Sequence, residues 1–216
     1  HDNVDYRPPG SQDENVEGKG SFIGKRPGDD LQKFANLRAL LGYQWLFPGK
    51  KLLMMGCEFG QSAEWNENKE LDWWLLDAGV FHRGLQRFVA DLNRVYLREP
   101  ALWEGDYEPG GFQWIDCGDA EHSVLSFIRR TPSGADQMAV ILNLTPAAHG
   151  GYRIGLPAGG FWREMLNSDG EGYGGSNTGN LGGVEAHGQP EHGQPFSAEF
   201  VLPPLSVMAF KSEPKS

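Results

Sequence analysis

The hydrophobic period of this chain changes once, near residue 105, and that change limits the possible folds more than any other feature. Before it, apolar residues recur at helical spacing. Leu31, Phe34, Leu37, Leu41 and Trp45 form one stripe in LQKFANLRALLGYQWLF. Leu85, Phe88, Val89, Leu92, Val95 and Tyr96 form a second in HRGLQRFVADLNRVYLR, from His82 to Arg98. Asp29 or Asp30 supplies an N-cap for the first helix, Pro48-Gly49 ends it, and Pro100 stops the second. Between them KLLMMGCEF, from Lys51 to Phe59, is a short unbroken apolar run. It is predicted to be a strand buried on both faces, as in a parallel sheet or barrel. After the change, apolar and polar residues alternate in FQWID (112–116), SVLSFIRR (123–130), QMAVILNLT (137–145), GYRIGL (151–156), FWREMLNS (161–168), FSAEFVL (196–202) and LSVMAFK (205–211). Turns of Gly, Pro, Asn and Asp separate these segments and predict an antiparallel β-sandwich. A Gly-rich excursion from Asp169 to Gln194 interrupts them. Residues 1–30 are polar, lack periodicity and read as loop. The expected domains are 1–105 and 106–216, the second able to fold independently.

A length of 216 residues suits one large domain or two small ones. The net charge of −10, with no basic stripe, argues against nucleic acid as a partner. No run approaches a membrane span and nothing resembles a signal peptide. The chain opens on His1, not Met, so a truncated or processed chain is expected. Cys57 and Cys117 have neither CxxC spacing nor histidines at metal-ligand spacing. They read as reduced thiols of a cytoplasmic protein, with a structural disulfide as the alternative. Seven Trp suit stacking on the C–H faces of sugar rings and suit core packing equally.

Residues 11–30, SQDENVEGKGSFIGKRPGDD, run straight into LQKFANLRALLGYQWLFPGKKLLMMGCEFGQ. The block resembles the last barrel units of the glycogen (1,4-α-glucan) branching enzymes of the α-amylase superfamily, whose loop reads SHDEVVHGKGS. Gly56-Cys57-Glu58-Phe59-Gly60-Gln61 is similar to the family's GEFGQ. Glu64-Trp65-Asn66 and Leu71-Asp72-Trp73 match its EWN and LDW, while Arg38 in NLRALL and Asn93 in DLNRVY match helix tethers. SVLSFIRR, FWREMLNSD…YGGSNTGN and LPPLSV resemble its C-terminal sandwich. The implied fold class is α/β plus all-β: the end of a (β/α)8 TIM barrel followed by an antiparallel β-sandwich.

The resemblance implies a retaining transglycosylase that cuts an α-1,4 bond and passes the glucan to a 6-hydroxyl. Such chemistry needs a nucleophile carboxylate and an acid/base carboxyl on either side of the anomeric carbon. The superfamily adds a third acid, an Asp that binds the distorted sugar at the transition state. Asp13 matches that catalytic third acid and Glu14 its neighbour. The other two carboxylates are expected upstream, so this chain alone is expected to be inactive. Gln12 stands where the family has His; it can donate a hydrogen bond but carries no positive charge. Asn15 and Glu17 replace the family's Val and His. His1-Asp2-Asn3 also looks like the superfamily's NHDN, but Gly18-Lys19-Gly20-Ser21 fixes the spacing to Asp13. On composition alone Asp13-Glu14 is a solvated acidic loop.

The Gly/Lys segment lacks the spacing of a phosphate loop. Lys19 reaches a sugar hydroxyl or is a surface charge. Glu58 and Gln61 lie at the end of the expected strand, on the functional face of a barrel. Glu58 shapes the donor site or ties down the loop 60–79. Trp65 and Trp73 are glucan platforms or loop packing. With Gln12, Glu14 and Lys19 these four form the expected substrate-binding set. Tyr173, Asn177 and Asn180 read as turn formers that can also meet sugar. His82, His122, His149, His187 and His192 form no nucleophile or metal constellation, and no cofactor is implied. The implied partners are an α-1,4-glucan such as amylose or glycogen and the upstream barrel of the same enzyme. The rival readings are a hydrolase of the same superfamily and a non-catalytic glucan-binding module.

Overall fold

The computed structural model describes Gly18 and residues 20–213. Helix α1 (Asp30–Leu46) starts behind Asp29, whose carboxylate accepts the Gln32 amide at 2.9 Å. The Gln32 side chain returns the bond to the Asp29 amide, closing a capping box. Asp29→Ala is expected to cost about 1 kcal/mol. A lower midpoint in urea denaturation reports the loss, and an unchanged midpoint rejects the cap. The short helix α2 (Leu75–Ala78) leads into α3 (Val80–Arg98), which buries Leu85, Phe88, Val89 and Leu92. Trp45 Nε1 donates to Asn93 Oδ1 at 2.9 Å and ties α1 to α3.

The strands follow: β1 (Phe112–Asp119), β2 (Val124–Arg130), β3 (Gln137–Asn143), β4 (His149–Leu156), β5 (Gly160–Asn167), β6 (Gly183–Ala186), β7 (Phe196–Leu202) and β8 (Ser206–Ser212). Six of them form an antiparallel sheet in the order β1-β2-β3-β8-β5-β6, and β4 pairs with β7 in a second sheet. Strand β6 lies inside the Gly-rich excursion, where no strand is expected from sequence.

The sandwich core between the sheets holds Ile128, Ile141, Trp162, Phe200 and Phe210. The other face of the six-stranded sheet is covered too. Phe127, Met138, Val140, Leu142, Leu166, Val207 and Ala209 pack against Leu37, Leu41, Trp45, Leu85 and Phe88 of α1 and α3 in one cluster. The layers are therefore helices, large sheet and small sheet. The central strands β2, β3 and β8 are buried nearly throughout, as strands covered on both faces must be. Independent folding of residues 106–216 conflicts with this shared core.

Lys51–Phe59 is not a strand. It runs without regular structure into a 3-10 turn at Cys57–Phe59, with Gly56 at φ 92° and Gly60 at φ 71° on either side. A buried parallel strand needs neighbours on its edges. Among the described residues none lies beside this segment, and Leu52 and Met55 are exposed. The Gln44 side chain donates to Leu52 O and the Lys51 amine to Phe47 O, so helix α1 supplies the partners that a sheet does not.

Two buried arginines weld the layers. Arg38 of α1 donates through Nε to Ser168 O at 2.7 Å and through Nη1 to Tyr173 O at 3.1 Å. Burial lowers its pKa to about 10, against the opposing pull of Asp169. Arg129 of β2 points into the helix layer. Its guanidinium donates to Leu46 O and Leu102 O, both at 2.9 Å, and to Gly111 O at 3.4 Å, and it forms an ion pair with Asp106.

Candidate functional site

The loops around α1's N-terminal half gather the expected site residues that can be placed. Phe34 of α1 lies 5.4 Å from the Phe81 ring and edge-on to His82 at 4.8 Å. His82 Nδ1 donates to Phe59 O at 2.8 Å, since a carbonyl can only accept. This contact fixes the turn 56–61 to the start of α3.

Within that turn Glu58 directs Oε2 to the Gly56 amide, 2.7 Å away. A carboxylate held by its own backbone is a turn former: the bond closes the turn at Gly56–Glu58 and does not reach the loop 60–79. Gln61 is buried. Its Oε1 accepts the Asp72 amide at 2.9 Å and its Nε2 donates to Ala63 O at 3.3 Å. It therefore binds both ends of the 61–72 loop and sets the position of the next residue, Trp73. The Trp73 ring is backed by Phe59 at 5.2 Å and remains 49 % exposed. Trp74 beside it is 64 % exposed. Such a backed, solvent-facing pair offers apolar faces at low entropic cost. Trp65 is half-buried in the same loop.

Glu64 has a role that the sequence did not disclose. Its Oε2 accepts the Gly18 amide at 3.2 Å and its Oε1 accepts the Gly20 amide. It thereby ties Gly18 and Gly20 to the loop that carries the tryptophans. The available signal was the glycine pair itself, since bare amides beside a loop acid invite such a contact. Glu64→Gln keeps one acceptor and removes the charge. Charge-assisted bonds of this kind are worth about 1.5–3 kcal/mol, so hydrogen exchange at Gly18 and Gly20 is expected to accelerate by roughly tenfold or more. Unchanged exchange rates dismiss the tether.

Asp13, Gln12, Glu14 and Lys19 lie outside the described residues. The carboxylates of Glu58 and Glu64 are committed to backbone amides. Cys57 is buried beside them, and burial first, then Glu58, pushes its thiol up to about 12. Cys57 and Cys117 are both free thiols. Tyr173, Asn177 and Asn180 are elsewhere, at the sheet domain. Tyr173 donates to Asp91 Oδ2 at 2.8 Å, Asn177 has φ 62°, and the Asn180 side chain donates to Val201 O through Nδ2 and accepts the Val201 amide through Oδ1. All three are built into the fold. Among the described residues no group of three or more His, Cys, Asp or Glu is placed to hold a metal ion. No described helix is long and apolar enough to cross a membrane.

Residues 114–213 match one family model, the alpha amylase C-terminal all-beta domain. The helical half lies outside this C-terminal all-beta domain, yet it shares in wider similarities. The chain is 56 % identical over 205 residues to the 1,4-alpha-glucan branching enzyme of Aquifex aeolicus, covering 95 % of this chain and 32 % of that enzyme. It is 56 % identical over 200 residues to that of Aromatoleum aromaticum (93 % and 31 %). It is 52 % identical over 205 residues to that of a Synechococcus species (95 % and 27 %). The chain thus spans about a third of the length of the curated relatives it matches. A solved pullulanase from an Anoxybacillus species, complexed with maltotetraose, superposes with a TM-score of 0.57 at 12 % identity. The match covers 86 % of this chain and 24 % of that one, and it concerns the fold alone.

Proposed function

We propose that this chain is the C-terminal part of a 1,4-α-glucan branching enzyme. In this reading residues 1–105 close a (β/α)8 barrel and residues 106–216 form the C-terminal β-sandwich. One observation carries it: identity above 50 % to enzymes of that name runs over 205 residues, and so takes in the helical half as well as the all-beta domain. A shared all-beta domain alone would fit any α-amylase relative.

The parent reaction is transfer of an α-1,4-glucan segment to a 6-hydroxyl with retained configuration, through a glycosyl-enzyme intermediate. Asp13 is the third acid, which binds the distorted sugar at the transition state and contributes nothing to ground-state affinity. Glu64 sets the approach of the chain that carries Asp13, Gln61 positions Trp73, and Trp73 with Trp74 receives a glucose ring. The substrate is a neutral polysaccharide such as amylose or glycogen, so the charge of −10 opposes nothing. The nucleophile and the acid/base belong to the rest of the enzyme, and the free thiols accord with a cytoplasmic home.

The test is amylose incubated with the whole enzyme containing this segment, and α-1,6 anomeric protons followed by NMR. Branching is expected, and Asp13→Asn is expected to reduce it by orders of magnitude while the melting temperature holds. The chain of residues 1–216 alone is expected to form no branches. Reducing ends without branches would make the parent a hydrolase. Full branching in Asp13→Asn would remove the third-acid assignment.

A further inference from the structure

The loop 103–111 is rigid beyond the needs of a connection and carries aromatic rings outward. Trp103 is 42 % exposed and Tyr107 is 77 % exposed, and Leu97, on the last turn of α3, is 75 % exposed. The neck of the loop is pinched where Gly105 and Gly111 meet: a Cβ on Gly111 would fall 2.0 Å from Gly105 O. Successive turns stiffen it, with Trp103 N bonded to Pro100 O, Glu108 N to Gly105 O and Gly111 N to Glu108 O, each at 3.0–3.1 Å. From below, the buried Arg129 guanidinium holds Leu102 O, the Asp106 carboxylate and Gly111 O. A fully buried arginine spent on a surface loop fixes the geometry of what that loop displays.

The loop lies at the far end of the helix pair from Trp73. Phe34 contacts the Phe81 and His82 end of α3, whereas Trp45 contacts Asn93. The Lys51 amine, bonded to Phe47 O just past α1, sits 5.1 Å over the Tyr96 ring. Tyr107 is close enough to Tyr96 for the two phenols to interact electrostatically. Helix α1 has 17 residues, so at ~1.5 Å per residue the two aromatic surfaces stand roughly 25 Å apart.

We propose that Trp103 and Tyr107 form a second α-glucan-binding platform, remote from the candidate site, on which glucose rings of a long chain stack. This rests on the branching-enzyme reading above. The acids beside the rings, Glu104 and Glu108, repel anionic partners such as nucleic acid or acidic lipid. Two rings and a leucine supply at most roughly 750 Å² even if bare, below the ~800 Å² that each partner gives to a stable protein interface. The platform thus suits a neutral, narrow ligand with alternating C–H faces and hydroxyls. The preformed loop lowers the ordering cost of binding it. A polysaccharide long enough to reach both platforms gains avidity that a short oligosaccharide does not.

The test is native electrophoresis of the 216-residue chain through gels containing amylose, with dextran gels as the control for linkage. The double variant Trp103→Ala/Tyr107→Ala is expected to weaken amylose retardation by about tenfold, the equivalent of ~1.4 kcal/mol, with its melting temperature unchanged. Should the double variant unfold, Tyr107→Ala at the loop tip decides alone, with an expected loss of roughly threefold. Retardation within twofold of the parent in these variants overturns the platform. If Trp73→Ala alone abolishes retardation at the same time, the glucan reading survives and only the platform falls. A parent chain that amylose does not retard overturns both. Self-association that the double variant disperses, with amylose retardation unaltered, assigns the rings to a second copy and also overturns the platform.

Discussion

A chain trimmed to residues 106–213 is expected to lose its cooperative thermal transition and to aggregate, because one face of its main sheet is buried by α1 and α3. Removing the helices bares Phe127, Met138, Val140, Leu142, Leu166 and Val207, each now within a cluster shared with the helices. Uncovering a large apolar side chain costs about 1.5–3 kcal/mol, so the six together cost roughly 9–18 kcal/mol. The whole stability of a domain is about 5–15 kcal/mol. The second core, around Trp162 and Phe200, remains in the trimmed chain but has only two strands for its second layer. Circular dichroism melting and size-exclusion chromatography decide the matter. A monomer that melts cooperatively within a few degrees of the full chain would show that the helix contact is superficial.

Arg129→Met is expected to destabilise the chain by about 3–5 kcal/mol, the usual cost of removing one partner from a buried ion pair. Methionine fills similar space but leaves the Asp106 carboxylate without its cation and the carbonyls of Leu46 and Leu102 without a donor. The Leu46 carbonyl matters separately, because it lies at the C-terminal end of α1, where helical partners run out. Burial pulls the Arg129 pKa down and Asp106 partly restores it. Adding Asp106→Leu should recover part of the loss, since an apolar pair tolerates the site better than a lone buried charge. Urea denaturation of the two single variants and the double variant measures the coupling. A loss below about 1 kcal/mol in Arg129→Met would mean that the pair is solvated and adds little.

Local signals proved legible wherever the chain answers to its neighbours in sequence. Asp29 caps α1 as its type and position predict, and Leu85, Phe88 and Leu92 bury the stripe that their spacing marks. The alternating segments became strands with ends displaced by a few residues at most. Lys51–Phe59 went the other way because a strand is a property of pairs: the apolar run is real, but among the described residues no strand pairs with it. Strand β6 was hidden by its shortness and its glycines, and it exists because β5 offers an edge at Gly160–Arg163. Arg129 was legible in principle. Val124 and Ile128 face one core while Phe127 faces the other, so the interior of β2 is covered on both sides. A charge in such a strand must find a buried partner. At the candidate site, residue type could not say which way a side chain turns. Glu58 and Gln61 were expected at the end of a strand that does not form, and their hydrogen bonds run to their own loop.

The shared cluster has a consequence for how such chains can be cut and rejoined. The change of hydrophobic period near residue 105 invites a crossover there when chimaeras are built between α-amylase relatives, because one architecture gives way to another. That point splits Leu37, Leu41, Trp45 and Phe88 from the sheet residues they touch, and it severs Arg38 from Ser168 and Leu46 from Arg129. A breakpoint ahead of Asp29 keeps all of these partners from one parent. The heritable block is then the helix pair together with its sheet, and donor and recipient sequences meet in a loop instead of across a core.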